Sequence, residues 1–424
     1  MSQSILVDLE QRELVSQMTD PALDRILTQP VTLYAGFDPT ADSLHIGHLL
    51  QLILLARYQQ GGHRPIAVVG GATAMIGDPS GKSEERVLLD EEAIARNVAG
   101  IQGQLQRFLD FDCGDNAALL VNNADWIGQF KFIEFLRDVG KHFRIGEMMG
   151  KESVRKRLES EAGLSFTEFS YQLLQSYDFL HLFRAYGCRL QIGGDDQWGN
   201  ITAGIELIRR LEAQQAYGVT SPLITKADGQ KFGKTEKGTV WLDPQRTSPY
   251  EFYQFWIRCD DRDVVRFLRY FTELAGDELM ELAQQVQEQP EKRQAQQVLA
   301  EQMTRRVHGD AELQNVQQAS RVLFGESMEG LSDADLTAIF ADVPSSQESR
   351  QRLEQGIALI DALHETGLCG SRGEAKKLIK NGGAYVNNIR IDGLDFSLTP
   401  ENLASESVLI LRSGKKKYHL MRIV

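Results

Sequence analysis

Two apolar runs separated by one helical stretch constrain the fold of this chain more than any other feature. Residues 31–37, Val-Thr-Leu-Tyr-Ala-Gly-Phe, stop at Asp38-Pro39, and a helical pattern begins near Leu44 with Leu49, Leu52, Ile53 and Ala56 on one stripe. A second run, Pro65-Ile66-Ala67-Val68-Val69-Gly70-Gly71, follows within the length of one helix. Strands joined this way pair in parallel, because the crossover needs about a dozen residues or more. Further runs at Ala117–Val121, Leu190–Ile192 and Leu223–Thr225 continue the alternation. The expected fold class is therefore α/β, a doubly wound parallel sheet that binds ligands at the carboxyl ends of its strands. This unit is expected over 1–245, with a mostly helical insertion at about 128–163.

After residue 245 the pattern changes. Tyr250–Ile257, Asp263–Leu274, Asp277–Gln287 and Glu291–His308 favour helix, with Pro249 and Pro290 as punctuation, so an α-helical domain is expected over 246–324. Residues 325–356, rich in acids and poor in apolar side chains, read as a linker. A small α+β unit follows over 357–424. A length of 424 residues suits several such units.

Composition excludes several classes. A hydrophobic content of 42% and a charged content of 25% are ordinary for globular chains. No apolar run approaches the ~18 residues of a membrane helix, and Asp8, Glu10, Glu13 and Asp20 break any targeting pattern, so no membrane contact and a cytoplasmic location are expected. Cys113, Cys188, Cys259 and Cys369 are scattered without a Cys-x-x-Cys pair, and no His-Glu-x-x-His occurs. No disulfide framework and no protein-bound metal are expected. The net charge of −13 opposes nucleic-acid binding on average. From Ile357 onward, however, ten Lys plus Arg face seven Asp plus Glu, a local +3 that includes Lys376-Lys377, Lys380, Arg390, Arg412 and Lys415-Lys416-Lys417. A localised RNA contact there is compatible with an acidic protein.

Two motifs carry the chemistry. His45-Ile46-Gly47-His48 places two ring donors just inside a predicted helix N-terminus, where phosphate oxygens also meet unpaired amides. Lys231-Phe232-Gly233-Lys234-Thr235 offers two cations in a glycine-set loop, suited to a triphosphate that gains charge during reaction. The segment Gly70 to Ser83 lacks Walker spacing, because Ile76 stands where that motif needs glycine. In it, Asp78 with Lys82 and Arg86 is either a surface helix set or a grip on a substrate ammonium and on phosphates.

Ser165-x-x-Glu168 opens a helix on which Tyr171, Gln175 and Asp178 align at i, i+4 and i+7. That stripe is either a solvated face or a buried recognition face whose Asp accepts a ligand hydroxyl. Gln191-Ile192-Gly193-Gly194-Asp195-Asp196-Gln197-Trp198 passes from strand to helix. One acid there is expected to cap the helix and another to accept from ribose.

These residues together resemble the bacterial tyrosyl-tRNA synthetases, a class I family, along nearly the whole chain. The resemblance is carried by Tyr34 to His48, Gly77-Asp78-Pro79, Ser170 to Phe179, Gln191 to Asn200 and Lys231 to Thr235. Ser371-Arg372-Gly373-Glu374 to Ile379, with Val386-Asn387, resembles the S4 RNA-binding fold. Phe232 and Gly233 stand where the class pattern prefers Met and Ser, and Thr235 replaces its final Ser.

The resemblance implies a Rossmann-like catalytic domain that joins L-tyrosine to ATP and transfers the tyrosyl group to tRNA(Tyr). It assigns His45, His48, Lys82, Arg86, Lys231, Lys234 and Thr235 to catalysis at the phosphates, with magnesium arriving on ATP. Tyr34, Asp78, Tyr171, Gln175, Asp178 and Gln191 are assigned to tyrosine. Asp38, Thr40, Gly47, Gly194, Asp196, Gln197 and Lys234 are assigned to ATP, and Arg372, Lys376, Lys377, Lys415, Lys416 and Lys417 to RNA. It further implies a homodimer.

Three competing readings are weaker. A nucleotidylyltransferase shares the two-histidine motif but would be shorter and leave the Tyr171 stripe without a role. The tryptophanyl enzyme would not need Tyr34 with Asp178. A non-catalytic RNA-binding relative would have degenerate motifs.

Overall fold

The computed structural model describes residues 4–80, 89–159, 163–227, 229, 232–235, 238–323, 325–340, 343–414 and 417–424. They form two compact units, Met1–Gly309 and Asp310–Val424.

The first unit is built on a six-stranded sheet: β1 (Gln17–Met18), β2 (Thr32–Phe37), β3 (Arg64–Val69), β4 (Leu119–Asn122), β5 (Cys188–Gly194) and β6 (Tyr217–Ser221), in the order β1-β6-β5-β2-β3-β4. All neighbours are parallel except the β1 edge. The chain runs outward from β2 to β4, then returns to the other side of β2 for β5 and β6. The reversal lies between β2 and β5, and a doubly wound sheet opens its ligand crevice at such a point. The strand expected at Leu223–Thr225 is found earlier, at Tyr217–Ser221. Its Gly, Thr and Ser carry little apolar signal, yet every residue of the strand is buried.

Three helices position the crevice. Leu49–Gln60 is buried on nearly all sides, consistent with its lack of a polar face. Its Arg57 is buried and pairs with Glu273 at 3.0 Å and Asp8 at 3.3 Å. Burial lowers this guanidinium to about 10. The 21-residue helix Phe166–Tyr186 is capped by Ser165, whose side chain accepts from the Glu168 N–H at 3.2 Å. Only half of the expected capping box forms, because the Glu168 carboxylate meets Arg157 at 2.6 Å in a fully buried pair. Trp198–Glu212 packs against that long helix.

Helices Pro249–Ile257, Asp261–Phe271, Gly276–Glu288 and Gln294–His308 belong to the same compact unit as the sheet. The division into compact units falls at 309/310, ahead of the domain boundary expected at 324/325, and places Asp310–Leu323 in the second unit. The linker expected at 325–356 is also corrected. It contains the helix Asp333–Ile339 and the strand Ser345–Glu348, which pairs in parallel with Lys417–Ile423. The reading failed because an edge strand is held by backbone bonds, and its side chains, alternately exposed, carry no apolar pattern. Met328, Leu331, Leu336 and Phe340 pack with Val408, Ile410, Tyr418 and Leu420 in the core of this unit.

Candidate active site

The two phosphate-type motifs meet through their backbones. His45 precedes a 3-10 turn, Ile46–His48, and the α-helix starts only at Leu49, so the histidines stand before the helix and not inside it. Their rings stack at 3.9 Å between centroids. His45 Nδ1 accepts from the Gly47 N–H at 3.1 Å and His48 Nδ1 from the His45 N–H at 3.2 Å. With both Nδ1 atoms acting as acceptors, each neutral ring carries its hydrogen on Nε2 and can donate to a phosphate.

A Cβ on Gly47 would lie 2.8 Å from the His45 ring, so any larger residue there would push that ring aside. Gly233 has φ +82°, and a Cβ on it would come within 2.5 Å of Ile46. The Val240 N–H donates to Gly233 O and the Ile46 N–H to Val240 O, both at 3.0 Å, which ties one motif to the other. Phe232 anchors the loop among Phe255, Trp256, Phe267 and Phe271. Lys82, Arg86 and Lys231 lie outside the described residues, as do the side chains of Lys234 and Thr235.

Several of the residues that the resemblance assigns to tyrosine lie on β2, β5 and the helix Phe166–Tyr186, and mark out a candidate slot. Tyr34 on β2 and Gln191 on β5 are register partners and point to the same face. Tyr34 is 1% exposed, and its hydroxyl has no hydrogen-bond partner among the described residues, nor has the buried Gln191 Oε1. Burial, followed by the nearby Asp178 charge, pushes the Tyr34 phenol well above its usual range, so it stays protonated. Asp178 is 3% exposed. Its Oδ1 accepts from Trp126 Nε1 at 2.7 Å and its Oδ2 from Asn123 Nδ2 at 3.0 Å. Burial raises its carboxyl to about 7, against the opposing pull of these two donors. The stripe bearing Tyr171 and Asp178 is thus buried, which excludes the solvated-face reading.

One hydrogen-bond chain joins the two ends of the slot. The Tyr171 hydroxyl donates to Asp38 Oδ2 at 2.9 Å, Thr73 Oγ1 donates to Asp38 Oδ1 at 2.8 Å, and Asn123 Nδ2 bridges Thr73 and Asp178 at 3.0 Å each. Beside it, Asp78 Oδ2 accepts from Gln197 Nε2 at 2.7 Å, and Gln175 Nε2 donates to Gln197 Oε1 at 3.1 Å. Gln197, which the resemblance assigns to ATP, is thus hydrogen-bonded to Asp78 and Gln175, two residues that the resemblance assigns to tyrosine. Asp78 is buried, so the surface-helix reading does not hold.

Of the two acids after β5, Asp195 accepts from Ser16 Oγ and Thr220 Oγ1, both at 2.6 Å. It ties strands together instead of capping the helix. Asp196 folds over Gly194, where a Cβ would lie 2.8 Å from its carboxylate. Thr40 is exposed beyond the end of β2.

A model of tRNA synthetases class I (W and Y) matches residues 27–325, and a tyrosine--tRNA ligase SYY-like C-terminal domain matches 335–421. The tyrosine--tRNA ligase of Roseiflexus castenholzii is 54% identical over 422 residues, covering 99% of this chain and 100% of that protein. The chain belongs to the tyrosyl-tRNA synthetases. The Geobacillus stearothermophilus tyrosine--tRNA ligase is 52% identical over 422 residues, covering 99% of each chain. A crystal structure of a C-terminally truncated Aspergillus nidulans mitochondrial tyrosyl-tRNA synthetase aligns with a TM-score of 0.68 at 32% identity, over 76% of this chain and 94% of that one.

Within this synthetase, sequence reasoning missed Thr73, Asn123, Trp126 and Asn200, whose Nδ2 donates to Gln175 Oε1 at 3.0 Å. Thr73 and Asn123 stand singly on short turns and carry no periodic signal; only the Asn122-Asn123 pair, where β4 ends, could have drawn notice. In the second unit, Arg372, Lys376, Lys377 and Lys380 are exposed on the helix Arg372–Lys380, while Ala375 and Ile379 are buried. Lys417 is exposed on its strand, and Lys415 and Lys416 lie outside the described residues. Arg412 leaves the basic set: it is buried, with its guanidinium 3.8 Å from the Tyr385 ring centroid.

Proposed function

We propose that this crevice joins tyrosine to ATP at the slot between β2 and β5 and then passes the tyrosyl group to the 3′ end of tRNA(Tyr). The substrate phenol donates to Asp178 and accepts from Tyr34, with Gln191 beside them. Asp78, Tyr171 and Gln175 take the ammonium, and Gln197 belongs with this group. Asp38, Thr40, Gly47, Gly194 and Asp196 face adenosine, with Asp196 on the ribose. The tyrosine carboxylate is already ionised at neutral pH, so no protein base is needed.

That carboxylate attacks the α-phosphorus, forming tyrosyl-adenylate as the bond to pyrophosphate breaks. A ribose hydroxyl of the tRNA then attacks the carbonyl carbon and AMP leaves. His45, His48, Lys82, Arg86, Lys231, Lys234 and Thr235 stabilise the charge that builds on the phosphates. Magnesium enters as the counter-ion of ATP. The reaction takes place in the cytoplasm, and the basic helix Arg372–Lys380 with Lys415, Lys416 and Lys417 contacts RNA.

The observation that carries this reading is the buried Tyr34 hydroxyl, without a hydrogen-bond partner among the described residues, close to an anchored Asp178. A site built around such groups rejects phenylalanine by leaving them unpaired, a form of discrimination for which tyrosyl-tRNA synthetases are already the standard illustration. The test is amino-acid-dependent exchange of labelled pyrophosphate into ATP, run with each standard amino acid. Tyrosine alone should support exchange. Exchange with tryptophan would keep the class and overturn the pocket, and no exchange at all would remove the adenylation reading.

A homodimer is supported by Phe132, Ile133, Ile145, Met149 and Phe166, large apolar side chains exposed within residues 132–166. Sedimentation showing a monomer at every concentration would contradict it.

A further inference from the structure

We infer that His181 is a positioning residue for tyrosine: by stacking on Trp126 it holds the indole N–H against the Asp178 carboxylate. The inference rests on the reading of Asp178 as the acceptor of the substrate phenol.

Both donors to Asp178 come from one short piece of chain. Trp126 lies on the four-residue helix Ala124–Ile127, and Asn123 immediately precedes it. A single helical turn has too few internal bonds to fix its own orientation, so tertiary contacts must do so. The His181 ring lies 4.3 Å from Trp126 between centroids, at 12° to its plane. His181 is in turn backed by Tyr177 at 6.5 Å, and Tyr177 packs edge-on against Phe130 at 4.8 Å.

Asp178 and His181 are three residues apart on the helix Phe166–Tyr186, which puts them on one face. That single long helix therefore meets the indole twice: Asp178 at its N–H edge and His181 at its ring face. The first contact sets the distance, and the second sets the tilt of the plane. Hydrogen bonds weaken steeply as their angle departs from linear, and those to a carboxylate are among the strongest available. Without the imidazole the indole loses the contact on that ring face, though it remains in the buried core, and the turn carrying Asn123 is less constrained. Asp178 is then a poorer fixed acceptor for the phenol.

The test uses the full-length protein in tyrosine-dependent pyrophosphate exchange, comparing His181→Ala, His181→Leu and His181→Phe. Loss of one aromatic stack should raise KM for tyrosine roughly three- to tenfold in the Ala and Leu variants. Their kcat and KM for ATP should stay within about twofold of the parent. His181→Phe should recover most of the loss, because it restores a ring without the imidazole nitrogens. Leu fills the space without a ring, so it serves if the Ala variant does not fold.

An unchanged KM for tyrosine in the Ala or Leu variant, or an equal rise in all three, would overturn the inference, as would a matching fall in kcat. Asp178→Ala, run alongside, separates the two readings. If it retains normal tyrosine binding, the pocket reading falls and takes this inference with it. If it loses activation while the Ala and Leu variants behave as the parent, only the role of His181 falls.

Discussion

The proposed phenol end and the proposed phosphate end of the crevice are built on opposite principles. At the phenol end, Asp178, Asn123, Trp126, Thr73 and Asp38 form a buried hydrogen-bonded chain. At the proposed phosphate end, two loop motifs are tied by their backbones, through Gly233, Val240 and Ile46, and the cations assigned to the phosphates belong to loop segments in the sequence. A fixed ground-state shape suits recognition of a ligand that does not change at its phenol. Charges carried on loops suit a group whose charge grows in the transition state. Variants at the two ends should accordingly differ in which kinetic constant they move.

The sharpest break would come from Asp178→Ala, which should abolish tyrosine activation, with a loss of about 10³-fold or more in kcat/KM, measured by pyrophosphate exchange. Near-normal exchange would remove Asp178 from the site. Next in size, His48→Ala or Lys234→Ala should slow adenylate formation by about 10²- to 10³-fold with KM for tyrosine little changed. Single-turnover kinetics that instead found tyrosine binding lost, with chemistry intact, would erase the distinction between the ends.

Lys376→Glu with Lys377→Glu should weaken tRNA charging about tenfold and leave exchange unchanged, assayed in parallel at fixed salt. Equal loss in both assays would contradict that division of labour. Truncation after Gln355 is a poor substitute, because it strands Ser345–Glu348 without the Lys417–Ile423 strand that pairs with it.

The smallest effect concerns pH. Burial raises the Asp178 carboxyl to about 7, above its unfolded value, so its contribution to stability is fully present at acid pH. That contribution is lost as pH rises through about 7, where the buried group must ionise. Asp178→Asn should therefore raise Tm relative to the parent by a few degrees at pH 8, and by less at pH 5. A difference independent of pH would show that this carboxyl does not titrate in that range. Over the same interval KM for tyrosine in the parent should rise as pH falls below about 7, since the protonated acid is a weaker acceptor for the phenol than the carboxylate.

Period and spacing alone determined the parallel crossover β2–β3, the long capped helix Phe166–Tyr186 with its aligned polar stripe, and the two phosphate-type motifs. Each is local: a strand, a helix face or a glycine-set loop imprints its periodicity on neighbouring residues. Tertiary structure alone decided which residues meet across the chain. It brought Asn123 and Trp126 to Asp178, seated Gln197 beside Asp78, and spent Asp195 on Ser16 and Thr220. It also drew the boundary between units at 309/310 and paired an unpatterned segment as an edge strand. These outcomes depend on hydrogen bonds between residues tens to hundreds of positions apart, and a buried polar group needs a partner without specifying in its own sequence where that partner lies.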